Sequence, residues 1–373
     1  MFLRLPESDD VFLLLEKYLR PEHRPARDLS GDWHGKTLDE LIFTHNWRGV
    51  ARYCYDAITQ APPEQTTYIL SHWLLRLQAL VRLRLIQPLG AELASVTSLL
   101  PPSSCFGPVE VPEISKASEA DVPLFHPAVP FDLHVLVAFL PSLQGQARRS
   151  VELMSILIRS CKEALWAAKK EGTEEDERLW SGRVARLGVV LAGLLSELKA
   201  SPSAFSLLSS PTSPSPAILS TLCRLSISTG DMGSLDHSLS SLPAEDPDKT
   251  RRRTQVLRDV ADGKYVEAEA ELRRLVRIWP LCSSISLASK KWVSSSRARA
   301  LPLTNVHLQA TTLLTSLLST HPHVAYNSPT ILFNLCTLFE ISTEHATARK
   351  VELLRDAAAY GAQGISRDCF KLK

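Results

Sequence analysis

Residues 263–280 place small and large side chains on one helical stripe: Ala268, then Leu272, then Leu275. The same spacing returns along the chain. Ala310 is followed by Leu314 and Leu317, Leu235 by Leu239 and Leu242, Ala204 by Leu208, and, more weakly, Ser150 by Met154 and Leu157. Positions 204, 235, 268 and 310 are separated by 31, 33 and 42 residues. A recurrence every roughly 20–50 residues marks stacked supersecondary units. No such unit buries its apolar face alone, so each must stack on a neighbour. The recurrence therefore restricts the chain to an array of helix hairpins.

In full, GKYVEAEAELRRLVRIWP (263–280) resembles the second half of a tetratricopeptide (TPR) repeat. Gly263 takes the turn, Tyr265, Ala268, Leu272 and Leu275 share a stripe, and Pro280 ends the helix. A small residue at 268 lets two helices approach closely, and the leucines fill the space to the next hairpin. The long interval before Ala310 holds an insertion, Ser294 to Pro302, with Arg297 and Arg299.

Composition agrees with helices and narrows the function. Only 15 of 373 residues are Gly, against a usual ~7%, which disfavours Gly-rich phosphate loops. Hydrophobic residues are 45% of the chain, enough for a sizeable core. Lys and Arg number 42 against 40 Asp and Glu, without the basic excess of a nucleic-acid binder. Seven dispersed cysteines, an odd number, read as reduced and buried thiols in the cytoplasm. The acidic start (Glu7, Asp9, Asp10) is unlike a signal peptide. The longest apolar run, Leu187 to Leu195, falls short of the roughly 20 residues that span a bilayer. The chain reads as soluble, with any membrane contact peripheral.

Three regions are expected. Residues 1–99 form N-terminal helical hairpins of degenerate repeats, with helices over 11–19, 37–59, 66–86 and 89–99. Residues 100–130 carry seven prolines and form an irregular connection. Residues 131–373 form the TPR-like array, closed by a capping hairpin over 328–341 and 344–360. A second punctuation falls at 201–216, where Ser210, Ser213 and Ser215 precede prolines. The fold class is all-α, an α-solenoid of antiparallel hairpins without a sheet.

Catalytic chemistry is missing from the pattern. SGDWHGKT (30–37) is one residue short of a phosphate-binding loop, because Ser30 stands where the first glycine is required. It reads as a capped turn. His321 and His323 flank Pro322 with no carboxylate or cysteine nearby, as in a surface turn. No nucleophile, base or metal set stands out, so neither an enzyme, a cofactor nor a small-molecule substrate is expected. Arg76, Arg82 and Arg84 read as a solvent face, and Arg251 to Arg253 as a solvated helix start.

The C-terminal string ILFNLCTLFEISTEHATARKVELLRDAAAYG (331–361), closing on CFKLK, is similar to the end of the subunit 12 family of the trafficking protein particle (TRAPP) complex. PFDLHVLVAFLPSLQGQ (130–146) resembles that family's entry into its repeats. The resemblance covers about residues 130–373 and is weak before them. It implies a non-catalytic scaffold subunit of a vesicle-tethering complex in endoplasmic reticulum-to-Golgi transport and autophagy. It implies large outer subunits, notably subunit 11, as partners, and through them the core. It also implies a cytoplasmic protein, peripheral at those membranes.

The alternative is a freestanding TPR adaptor that grips a short acidic peptide of a chaperone or other partner. Arg224 and Arg253 then face the concave side. A full carboxylate clamp needs a recurring Lys/Asn set, and Asn334 is the only asparagine on a candidate first helix. For the scaffold, the end of the array matters most. Ile331, Leu332, Phe333, Leu335, Leu338 and Phe339 are too many apolar residues for one buried stripe. The C-terminal hairpin with Phe333 and Phe339 is therefore expected to contribute to a docking surface.

Overall fold

A computed structural model of the chain describes residues 2–100, 129–209, 215–242, 250–264, 267–268, 270–271, 274 and 303–372. Several expectations lie outside the described residues: most of the Pro-rich connection, Ser210 and Ser213, Tyr265, Leu272, Leu275 and Pro280, and the insertion with Arg297 and Arg299. Among the described residues every regular element is a helix. They are α1 (Asp10–Tyr18), α2 (Leu38–Phe43), α3 (Trp47–Gln60), α4 (Thr66–Arg82), α5 (Ile86–Thr97), α6 (Phe131–Leu143), α7 (Ala147–Glu171) and α8 (Glu174–Glu197). Then follow α9 (Ser201–Ser209), α10 (Pro216–Thr229), α11 (Met232–Ser240), α12 (Thr250–Ala261), α13 (Leu303–Thr320), α14 (Pro322–Tyr326), α15 (Pro329–Ser342) and α16 (Ala346–Ala359). Successive helices pack in pairs, the construction of an all-α solenoid.

One turn recurs through the chain. His45, Arg84, Gly145, Gly172, Lys199 and Gly230 are all left-handed, with φ between 56° and 84°. In each case the next residue donates its backbone N–H to the carbonyl five positions back: Asn46 to Leu41, Leu85 to Leu80, Gln146 to Pro141, Thr173 to Ala168, Ala200 to Leu195 and Asp231 to Ser226. This bond satisfies a carbonyl at the helix end and reverses the chain. It also splits the expected helix over 37–59 into α2 and α3, with Asn46 accepting the Gly49 N–H as the new N-cap. The punctuation at 201–216 is likewise shorter than expected, because α9 runs through its first nine residues.

The repeat register is visible in burial. Ser150, Ala204, Leu235, Ala268 and Ala310 are all buried. Ser150 shows how a polar residue fits: its Oγ donates to the Ala138 carbonyl, 2.8 Å away, and accepts from the Ser142 N–H.

The helices divide into two units. In the unit of residues 63–74 and 90–261, Met154, Leu157 and Cys161 of α7 meet Leu187, Leu191 and Leu194 of α8 and Ala138 of α6. A second cluster joins Ala192, Ala204, Leu208, Ile218, Leu222 and Leu225. α8 is long and apolar enough, by length and composition, to cross a membrane, which the nine-residue run had not suggested. Its first turn is Glu174, Glu175, Asp176 and Glu177, and its apolar residues serve both clusters. Of its most apolar stretch, 22% is buried inside the protein.

In the unit of residues 2–62, 75–89 and 262–373, the beginning and end of the chain share one core. Val11, Leu14 and Leu15 of α1 pack with Leu353, Leu354, Ala357 and Phe370. Polar bonds run beside this core. Asp9 caps α1 through the Phe12 N–H and receives both nitrogens of Arg27, at 2.7 and 2.8 Å. The side chain of Gln363 accepts from the Arg48 N–H and donates to Asn46. Arg48 is buried and donates to the carbonyls of Pro6, Leu29 and Ser8. A Cβ at Gly364 would collide with the Arg82 carbonyl, so only glycine lets the tail pass there.

Arg76 corrects the reading of a solvent face. It is only 2% exposed, donates to the Ala51 and Leu3 carbonyls, and lies against the rings of Phe2 and Tyr55. Carbonyls and ring faces solvate this cation in place of water. Arg82 and Arg84 are exposed. The turn at 30–37 is built by side chains. Asp28 accepts from the backbone of Ser30, Gly31 and Asp32, and Thr37 with Glu40 forms a capping box on α2. Cys54, Cys161, Cys223, Cys336 and Cys369 are buried thiols. Burial pushes Cys54 and Cys336 up to about 12 and Cys223 to about 11.

Candidate functional site

α15 is apolar nearly all round because it is covered on several sides. It packs against α13, α14, α16 and the turn at Arg367–Phe370. Ile331, Leu332, Leu335 and Leu338 are buried, and Phe339 packs half-buried against the same cluster. Asn334 is buried as well. The chain thus supplies much of the cover expected from a partner: α1 and the C-terminal turn belong to the core around α15 and α16. What stays open is a strip along α15: Phe333, 38% exposed, and Ile341, 53% exposed, with Thr337 and Glu340 between them.

Three charged groups border this strip. Lys350 is buried and donates to Glu340, 2.5 Å away, and to the Lys371 carbonyl. Lys371 pairs with the other Glu340 oxygen, donates to Thr337 and lies 5.4 Å from the centre of the Phe333 ring. Burial disfavours the Glu340 anion, but the hydrogen bonds and charges of Lys350 and Lys371 hold its carboxyl below its ordinary value. The arrangement is an aromatic ring and an aliphatic side chain beside a cluster of two cations and one anion. It fits recognition of a surface, with Phe333 as the apolar anchor.

Arg224 and Arg253 come together on the consecutive first helices α10 and α12, which pack on each other. Arg224 is exposed and Arg253 half-buried. Burial first, and the Arg253 charge second, lower the pKa of Arg224. Arg251 turns back to the Leu242 carbonyl, at 3.3 Å. Phe333 and Phe339 belong to the other unit.

Sequence reading missed the polar bonds between chain ends: Asp9, Arg27, Asn46, Arg48 and Gln363. Arg27 and Ala362 are 335 positions apart, and no local pattern signals such a pairing. Among the described residues, His321 and His323 belong to no group of three or more side chains that could hold a metal ion. His321 precedes α14, and His323 meets the Tyr360 ring edge-on at 5.4 Å.

No family model matches the chain. It is similar to trafficking protein particle complex subunit 12 of Homo sapiens, with 22% identity over 369 residues. The match covers 90% of this chain and 48% of the human protein. The Mus musculus subunit 12 is 21% identical over 90% of this chain and 44% of its own length. The chain thus spans about half the length of the relatives it matches. No solved structure matches it.

Proposed function

We propose that the chain is a non-catalytic scaffold subunit of a vesicle-tethering complex of the TRAPP type. The observation that carries this reading is similarity to subunit 12 along nine-tenths of the chain. An all-helical array with an exposed Phe333–Ile341 strip supports it, because a scaffold needs faces rather than a cleft. In this reading the protein bridges large outer subunits, such as subunit 11, to the nucleotide-exchanging core. It is cytoplasmic and meets endoplasmic reticulum and Golgi membranes peripherally, in transport between them and in autophagy. Phe333, with Phe339 behind it, anchors one partner, and the Arg224–Arg253 patch serves a second. A freestanding peptide-binding adaptor is not favoured: Asn334, the asparagine a clamp would use, is buried inside α15.

Affinity purification of the tagged chain with quantitative mass spectrometry tests the proposal. The expected result is a stoichiometric set of tethering-complex subunits. A chaperone at low stoichiometry, or no trafficking subunit at all, would sink it.

A further inference from the structure

The base of the α7–α8 hairpin carries a groove that the proposed function leaves unused. It holds about 650 Å³ and has Leu153, Ile156 and Leu198 as its apolar floor, with Arg148, Arg149 and Glu152 on its rim. Ile156 is 40% and Leu198 37% exposed. Arg148 and Arg149 are exposed and make no hydrogen bond or ion pair through their side chains among the described residues. Arg159 and Lys199, close by in sequence, are likewise exposed and unpaired. The chain as a whole is nearly neutral, so this end of the hairpin is a local excess of cations around an apolar floor.

We propose that this groove docks an acidic amphipathic segment of a protein partner. Its apolar side chain would rest on Leu153, Ile156 and Leu198, and a neighbouring carboxylate would be forked by Arg148 or Arg149. Charge selects this occupant. A second copy docking by the same face would set arginines against arginines. An anionic bilayer lying along α7 would meet Glu171, Glu174, Glu175, Asp176 and Glu177, which outnumber Lys169, Lys170 and Arg178 at the far end of the hairpin, about 37 Å away at 1.5 Å per residue. An acidic segment confined to the groove meets neither obstacle. The inference rests on the scaffold reading only in expecting a protein partner, and it concerns residues of α7 and the C-cap of α8, not those of α15.

The test is site-specific photo-cross-linking. A benzophenone amino acid replaces Ile156 in the full chain, expressed in its native cells, and the adduct is sequenced. The expected adduct is a protein segment in which Asp and Glu outnumber Lys and Arg. Its yield should fall about tenfold in Arg148→Glu, Arg149→Glu, with circular dichroism unchanged. If that double variant does not fold, each single reversal is tested instead. The proposal is overturned by a lipid adduct, an adduct to a second copy of the chain or to a basic segment, a yield insensitive to reversal, or no adduct. Loss of the trafficking subunits from the purified assembly while the acidic adduct persists would sink the proposed function and leave the groove standing. The reverse would sink the groove alone.

Discussion

Arg27 donates to the carbonyl oxygen of Ala362 at 3.1 Å while its two terminal nitrogens grip Asp9. One guanidinium therefore holds the start of α1 and the exit from α16 together. The Arg27 side chain is 5% and the Asp9 side chain 15% exposed, so the pair is shielded from the water that weakens surface ion pairs.

Breaking that pair should be costly. Asp9→Asn keeps an N-cap acceptor but leaves a buried guanidinium without its anion, a loss of about 3 kcal/mol. Urea denaturation should show it. Burial alone would raise the Asp9 pKa, yet the hydrogen bond and charge of Arg27 and the Phe12 N–H bring it below its ordinary 3.8. A depressed folded-state pKa contributes stability above the unfolded value and loses it as pH falls through the folded one. The wild type should therefore weaken below about pH 4, and Asp9→Asn should show a shallower acid dependence. Parallel acid curves for the two proteins would refute this.

Gly364→Ala should release the C-terminal segment. The added methyl collides with the Arg82 carbonyl, and φ is already +70° there. We expect a loss of at least about 2 kcal/mol and faster hydrogen exchange in residues 362–372. Wild-type exchange in that stretch would show that the tail does not run past Arg82.

The recurring turn predicts a gain. Lys199 has φ 60° where related turns carry Gly145 and Gly230. Lys199→Gly should stabilise by about 1 kcal/mol, whereas Gly230→Ala should destabilise by a similar amount. Opposite shifts in thermal midpoint are expected. A destabilised Lys199→Gly would mean that the lysine side chain does more than occupy the turn.

Ala268 is 2% exposed, and Lys264 lies in the turn before it, beside Asp262. Ala268→Leu should overpack the crossing and cost about 1–3 kcal/mol. Lys264→Ala should change stability by less than about 0.5 kcal/mol. Equal denaturation midpoints would place 268 away from a helix crossing.

Phe333→Asp should leave the circular dichroism spectrum intact and remove partners in co-precipitation. Leu335→Asp, at a position with 0% exposure, should unfold the hairpin instead. A folded Phe333→Asp protein that retains every partner would move the docking surface off α15.

What the sequence disclosed is what local spacing encodes. Ala204, Ala268 and Ala310 announce close crossings because small residues recur at a helical period, and all three are buried. Gly145 and Gly230 announce turns because glycine is the ordinary occupant of positive φ. His45, Arg84 and Lys199 make the same turn without that sign, so α2 and α3 read as one helix. Arg76 read as solvated because its counter-groups are carbonyls and rings brought in by folding. The open strip on α15 was half legible: Phe333 and Phe339 could be nominated, but α13, α14, α16 and the turn at Arg367–Phe370 decided how much remained uncovered.

The shared core of α1 and α16 sets the order in which the protein can be completed during synthesis. Val11, Leu14 and Leu15 leave the ribosome well over three hundred positions before Leu353, Leu354 and Phe370. At about 5–20 residues per second, the wait is roughly 20–70 s. Throughout it the nascent N-terminal helix exposes the apolar side that its final partners will cover. A chain stalled before Leu353 is therefore a sticky one, and chaperones that bind short apolar helices should hold this protein until Leu353, Leu354 and Phe370 emerge.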